Sequence, residues 1–114
     1  MRPPEVSKYL FDMAEARRLI QTFVSGKSFD DYTRDALLRS AVERQFEIVG
    51  EALSRLLQVS PDLGDRISDS RRIISFRNRL IHGYAAVADD VVWGVVEGYL
   101  QKLLTEVEEL LDED

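Results

Sequence analysis

The stretch LLRSAVERQFEIVGEALSRLLQV, residues 37–59, decides the fold. Leu37/Leu38, Ala41/Val42, Ile48/Val49, Ala52/Leu53 and Leu56/Leu57 return at nearly heptad spacing, with Gln45 in the same register. That period places one apolar stripe along a single long helix and is incompatible with strand alternation. No proline interrupts it. Gly50 lies inside it, and a mid-helix glycine costs about 1 kcal/mol relative to alanine. Either a kink or a close approach of a neighbouring helix would account for that residue, and the sequence leaves both open. Upstream, SFDDYTRD (28–35) offers Asp30 or Asp31 as a cap, so the helix is expected to start there and run to about Val59. Downstream, SPDLGD (60–65) breaks it.

The same reading extends outward. Val6, Tyr9/Leu10, Met13, Ala16, Ile20 and Phe23/Val24 form a stripe for a first helix over about 5–24, with Pro4 in its first turn and Gly26 as its stop. A third helix is expected from Asp69 or Ser70 to Gly83, with Ile73, Phe76 and Leu80 on its core face. A fourth is expected from about Asp89 to Leu111 on Val92, Val95/Val96, Tyr99, Leu103, Val107 and Leu110. Short connections and the absence of any alternating segment predict an all-α, up-and-down four-helix bundle with room for a short fifth helix, forming one domain over 1–114.

Composition narrows the function classes. With no cysteine and a single histidine, the chain has no thiol nucleophile and no Cys-based zinc site, and neither a metal nor another cofactor is expected. The N-terminal MRPPEVSKYL lacks the apolar core of a signal peptide and no run is long enough to span a membrane, so a cytoplasmic location is expected. The net charge of −6 argues against broad binding to nucleic acid, and no DNA partner is expected. The charge is uneven, however. Arg66, Arg71, Arg72, Arg77 and Arg79 crowd one segment against Asp69 alone, while Glu106, Glu108, Glu109, Asp112, Glu113 and Asp114 close the chain. Such a basic segment can engage phosphate locally, or its arginines can pair with carboxylates on neighbouring helices.

The histidine lies in RNRLIHGY, residues 77–84. On an ideal helix Arg77 and His82 diverge by roughly 140°, whereas Asn78 and His82 share a face. The pair can converge if Gly83 ends the helix in a left-handed conformation and Arg77 swings round. A guanidinium, an amide and an imidazole around one cleft would suit phosphodiester chemistry. The imidazole can take a proton from a ribose 2′-hydroxyl or return one to a leaving oxygen, and the guanidinium can hold phosphate oxygens as charge builds. No metal is needed on that route, but one chain supplies only one imidazole, so an enzyme of this kind is expected to be a homodimer. The alternative is equally concrete: a histidine at a helix C-terminus simply interacts with exposed carbonyls, and Tyr84 packs over the end of the bundle.

Arg77, His82 and Tyr84, in the order R-x4-H-x-Y with Asn78 after the arginine, resemble the signature of the HepT-like branch of the HEPN superfamily. ERQFEIVGEALSRL (43–56) is similar to the second-helix signature of that branch, and VVWGVVEGYLQKL (91–103), with Trp93, to the helix after the motif. The resemblance covers nearly the whole chain. One departure is EGYLQKL (97–103), where many relatives carry Asp-Leu-Pro. The resemblance implies a dimeric bundle with both motifs facing a shared cleft, acting as a metal-independent endoribonuclease toxin of a type VII-like toxin–antitoxin pair. It implies Arg77 and His82 as the catalytic pair, Asn78 in support, and Glu51 as a further candidate for the cleft. It also implies RNA as substrate and a small nucleotidyltransferase antitoxin that silences the toxin by transferring AMP to Tyr84. The competing expectation is a non-catalytic helical subunit that binds a nucleotide or presents substrate to such a nucleotidyltransferase. A purely structural dimerising bundle is a third.

Overall fold

Pro4 fixes the first turn of helix α1 (Pro4–Val24), and the chain leaves that helix through Gly26 at φ 74°. Between those ends the expected stripe is the buried face: Val6, Leu10, Met13, Ala16, Ile20 and Val24. The computed structural model describes residues 2–82 and 87–113. Its remaining elements are α2 (Phe29–Arg34), α3 (Ala36–Val59), α4 (Pro61–Asp65), α5 (Ser70–His82), α6 (Asp89–Gly98) and α7 (Leu100–Asp112). No helix among the described residues is long and apolar enough to cross a membrane.

Two of the expected helices are each divided, for different reasons. The helix expected from Asp30 or Asp31 to Val59 is α2 followed by α3. Ser28 caps α2 by accepting from the Asp31 amide at 3.1 Å, while the Asp31 carboxylate accepts from the Ser28 amide at 2.9 Å. Asp31 is therefore the third residue of a reciprocal capping box rather than the cap itself. Asp35 then turns extended, at φ −119° and ψ 98°, and its carboxylate accepts from the Leu38 amide to cap α3. Replacing Ser28 by Ala is expected to cost about 1 kcal/mol in urea denaturation, because one amide of α2 loses its acceptor. The fourth expected helix is divided at Tyr99, where φ reaches −120° beside Gly98. Backbone bonds from Tyr99 to Val95 and from Leu103 to Tyr99 persist across the break, so α6 and α7 form a kinked arm. SPDLGD, expected only as a break, folds into the short α4.

Packing follows the apolar stripes. Helix α1 lies against α3 and α7, and α3 lies against α5. The bundle closes between the α5 and α7 sides through Ser68 and Tyr99. The Tyr99 hydroxyl donates to the Ser68 carbonyl at 2.9 Å, and Ser68 donates its amide and hydroxyl to Glu106 at 2.9 and 2.6 Å. Burial raises the Tyr99 phenol well above its usual range, with the Glu106 and Asp69 charges adding to it. Four long segments thus surround one core, as an all-α up-and-down bundle. Trp93 of α6 packs beside Tyr32 and Phe29 of α2, with ring centroids 5.4 and 6.3 Å away. That contact docks α6 on α2.

Candidate active site

Helix α5 is held to α3 by Ile73 and Phe76, the latter edge-on to Phe46 at 5.4 Å. Its next residue, Arg77, explains Gly50. A Cβ added at Gly50 would stand 2.3 Å from the Arg77 Cβ and 2.6 Å from its Cγ. The glycine is a close approach between α3 and α5, occupied by the stem of the arginine. With the stem so fixed, the guanidinium reaches Glu51, the neighbour of that glycine, and Nη2 donates to the carboxylate at 2.7 Å. Nη1 donates to the Asn78 side-chain oxygen at 2.9 Å. Each terminal nitrogen keeps a second N–H, so the fork remains competent to bind an anion. Only 24% of the Arg77 side chain is exposed, and this partial desolvation strengthens its field at the surface.

Glu51 also accepts from Arg55 Nε at 2.8 Å. The carboxylate thus bridges two arginines and orients the one from α5. Spacing within α5 carried no sign of this, because the partners are brought together by packing between two helices. The family resemblance offered Glu51 as a cleft candidate, and the mid-helix glycine beside it was the one physical signal in the residues themselves.

The structure does not bring Arg77 and His82 into one cavity. Arg77 lines a groove of about 390 Å³ between α1, α3 and α5. His82, the last described residue of α5, is exposed in a separate surface depression with Ser75, Asn78 and Arg79. The divergence expected of an ideal helix is therefore what is seen, and Asn78 is the link: it lines the histidine's depression and holds the arginine. The turn expected at Gly83, the change that would let the pair converge, lies outside the described residues, as does Tyr84.

Pairing accounts for four of the five clustered arginines. Arg66 binds Glu113 and Arg77 binds Glu51, both between distant segments. Arg71 and Arg72 stand 3.6 Å from Asp65 and Asp69. Arg79 makes no ion pair among the described residues and lies exposed beside His82. Residue type alone did not separate it from its four neighbours.

The profile of the family described as Ribonuclease HepT-like matches residues 13–110, which include every residue of the motif. The chain belongs to the ribonuclease HepT-like family. Among HepT-like relatives, "Probable ribonuclease HepT" of Thermococcus cleftensis is 34% identical, over 90% of this chain and 92% of that protein. "Putative RNase TTE0752" of Caldanaerobacter subterraneus is 30% identical over 80% of each chain. "Putative RNase MJ0127" of Methanocaldococcus jannaschii is 25% identical over 97% of this chain and 91% of that one. No solved structure matches this HepT-like chain.

Proposed function

We propose that the chain is an endoribonuclease that cleaves RNA without a metal ion, through Arg77 and His82 at the cleft of a homodimer. The observation that carries this reading is the fixed guanidinium: Gly50 admits the Arg77 stem, Glu51 and Asn78 aim its fork, and Asn78 joins it to the face bearing His82. His82 takes the proton from a ribose 2′-hydroxyl as that oxygen attacks the adjacent phosphorus. The bond from phosphorus to the 5′-oxygen then breaks, leaving a 2′,3′-cyclic phosphate, and the leaving oxygen recovers a proton. Arg77 binds the non-bridging oxygens while their charge grows. A second chain supplies a second imidazole, so that one can accept the proton and the other return it.

Membership of a family described as ribonucleases and the names of its relatives support the substrate class. The toxin–antitoxin role, and silencing by a nucleotidyltransferase that adds AMP to Tyr84, rest on the sequence motif. An AMP phosphate close to Arg77 would compete with the RNA phosphate for the same fork. The separate cavities of Arg77 and His82 favour a second reading, a helical subunit that binds a nucleotide or presents substrate without cutting it.

The two readings differ in a direct assay. Purified protein is expected to fragment RNA in buffer containing EDTA, with 2′,3′-cyclic phosphate ends visible by mass spectrometry. Intact RNA at every metal concentration, from protein whose intact mass shows no added AMP, would remove the ribonuclease reading and leave the binding subunit or the structural bundle. Cleavage that appears on adding a divalent cation and stops with EDTA would remove the metal-free mechanism.

A further inference from the structure

The groove that receives Arg77 is larger than one phosphate needs, and most of it has no part in the mechanism above. Its apolar lining comes from Ile48 of α3 and Tyr9 of α1, both half-buried against the core, and from the more exposed Ile81 of α5. Around it stand Lys8, Arg44 and Arg55. Each of these cations is held by a carboxylate: Lys8 by Asp12 at 2.7 Å, Arg44 by Glu47 at 3.3 Å and Arg55 by Glu51 at 2.8 Å. Arg55 also lies beside the Tyr9 hydroxyl, and its basicity is raised first by the Glu51 hydrogen bond and charge, with Tyr9 adding to them. A chain of hydrogen bonds therefore runs from Arg55 through Glu51 and Arg77 to Asn78, and Tyr9 of α1 lines the same groove.

We propose that this groove is a subsite for one nucleotide of single-stranded RNA, the one adjoining the scissile phosphate. The claim rests on the ribonuclease reading of Arg77 and extends it to substrate binding. A run of phosphates would meet the carboxylates of Asp12, Glu47 and Glu51 and be repelled. A single nucleoside with its phosphate matches the mixture better. Its base lies on the Tyr9 ring and the isoleucines, and its phosphate meets Arg55 and Lys8 at the rim. Its ribose hydroxyls and base N–H groups donate to the carboxylates. Arg55 shares Glu51 with Arg77, so occupation of the groove and the set of the catalytic guanidinium are coupled through one carboxylate.

Binding can be read apart from cleavage by placing every variant on a His82→Ala background and following fluorescence anisotropy of a labelled, mixed-sequence single-stranded RNA. Tyr9→Leu keeps an apolar side chain against the core while removing the ring, and is expected to weaken binding about tenfold. Arg55→Gln, at a side chain 57% exposed, is expected to weaken it by a similar factor, with thermal melting unchanged. With His82 restored, the Tyr9→Leu loss should fall on KM more than on kcat, whereas Arg55→Gln, which also removes a partner of the Glu51 that orients Arg77, should affect both. Arg18→Gln, on α1 but outside the groove, should bind as the parent does. If the parent cleaves RNA and both groove variants bind it undiminished, the subsite is overturned while the ribonuclease stands. If the parent never cleaves but its RNA binding still depends on Tyr9 and Arg55, the subsite survives and the ribonuclease falls.

Discussion

The His82→Ala protein is expected to melt within about 1 kcal/mol of the parent and to cleave RNA about a hundredfold more slowly or worse. The two halves of that result have separate physical sources. His82 is exposed at the end of α5, so removing its ring opens no cavity. What the fold loses is at most the interaction of an imidazole with the last carbonyls of one helix, which is small and screened. What the reaction loses is the group that moves the 2′-hydroxyl proton, and general bases contribute about 10² to 10⁴ in rate. If His82 served only as a helix cap, the pattern would invert, with a measurable fall in stability and cleavage untouched. Arg77→Lys provides a companion measurement. Lysine keeps the charge and much of the stem beside Gly50, but a single ammonium cannot hold Glu51, Asn78 and a phosphate in the fork geometry. Its cleavage rate should fall with the RNA affinity largely kept. Equal rates for parent and His82→Ala, measured on protein free of contaminating nuclease, would end the proposed mechanism.

The stripes of α1 and α3 were largely legible because nothing competes with their period: Val6, Leu10, Met13, Ala16, Ile20 and Val24 are buried as expected, and so are Leu38, Val42, Val49, Leu53 and Leu56, whereas Leu37 is 79% exposed and Phe46, beside the expected Gln45, fills the middle of the α3 row. The break at Asp35 was not legible for a specific reason. Ser28, Asp30, Asp31 and Asp35 are all good cap residues within one short segment, and the choice among them depends on where Tyr32 is buried under Trp93. The bend at Tyr99 is likewise set by its hydroxyl reaching the Ser68 carbonyl, a contact between segments far apart in the chain. At the site, the residue types in RNRLIHGY suited phosphate chemistry or a plain helix end, and the divergence of Arg77 from His82 followed from helical angles. The part played by Glu51 and Arg55 could not be read in the same way. It depends on the register between α3 and α5, which packing decides.

Gly50→Ala tests that register, and its sign is the informative quantity. At an open helical position the change would stabilise the protein by about 1 kcal/mol, through helix propensity alone. Here the new methyl would meet the Arg77 Cβ at 2.3 Å, and that atom is fixed to the α5 backbone and cannot swing aside. Relief requires α5 to back away from α3, loosening the Phe46–Phe76 contact that holds the two together. Overpacking of this kind costs about 1–3 kcal/mol, and the upper part of that range is expected because a helix rather than a side-chain tip must move. Urea denaturation should therefore show a net loss of about 2 kcal/mol after the propensity gain is subtracted. Combining the change with Arg77→Ala should not restore stability, since alanine keeps the Cβ that makes the nearest contact. Cleavage should fall with the single change as well, because a displaced α5 carries the guanidinium away from Glu51. Stabilisation by Gly50→Ala would mean that α3 and α5 do not approach as described, and the alignment of Arg77 by Glu51 would fail with it.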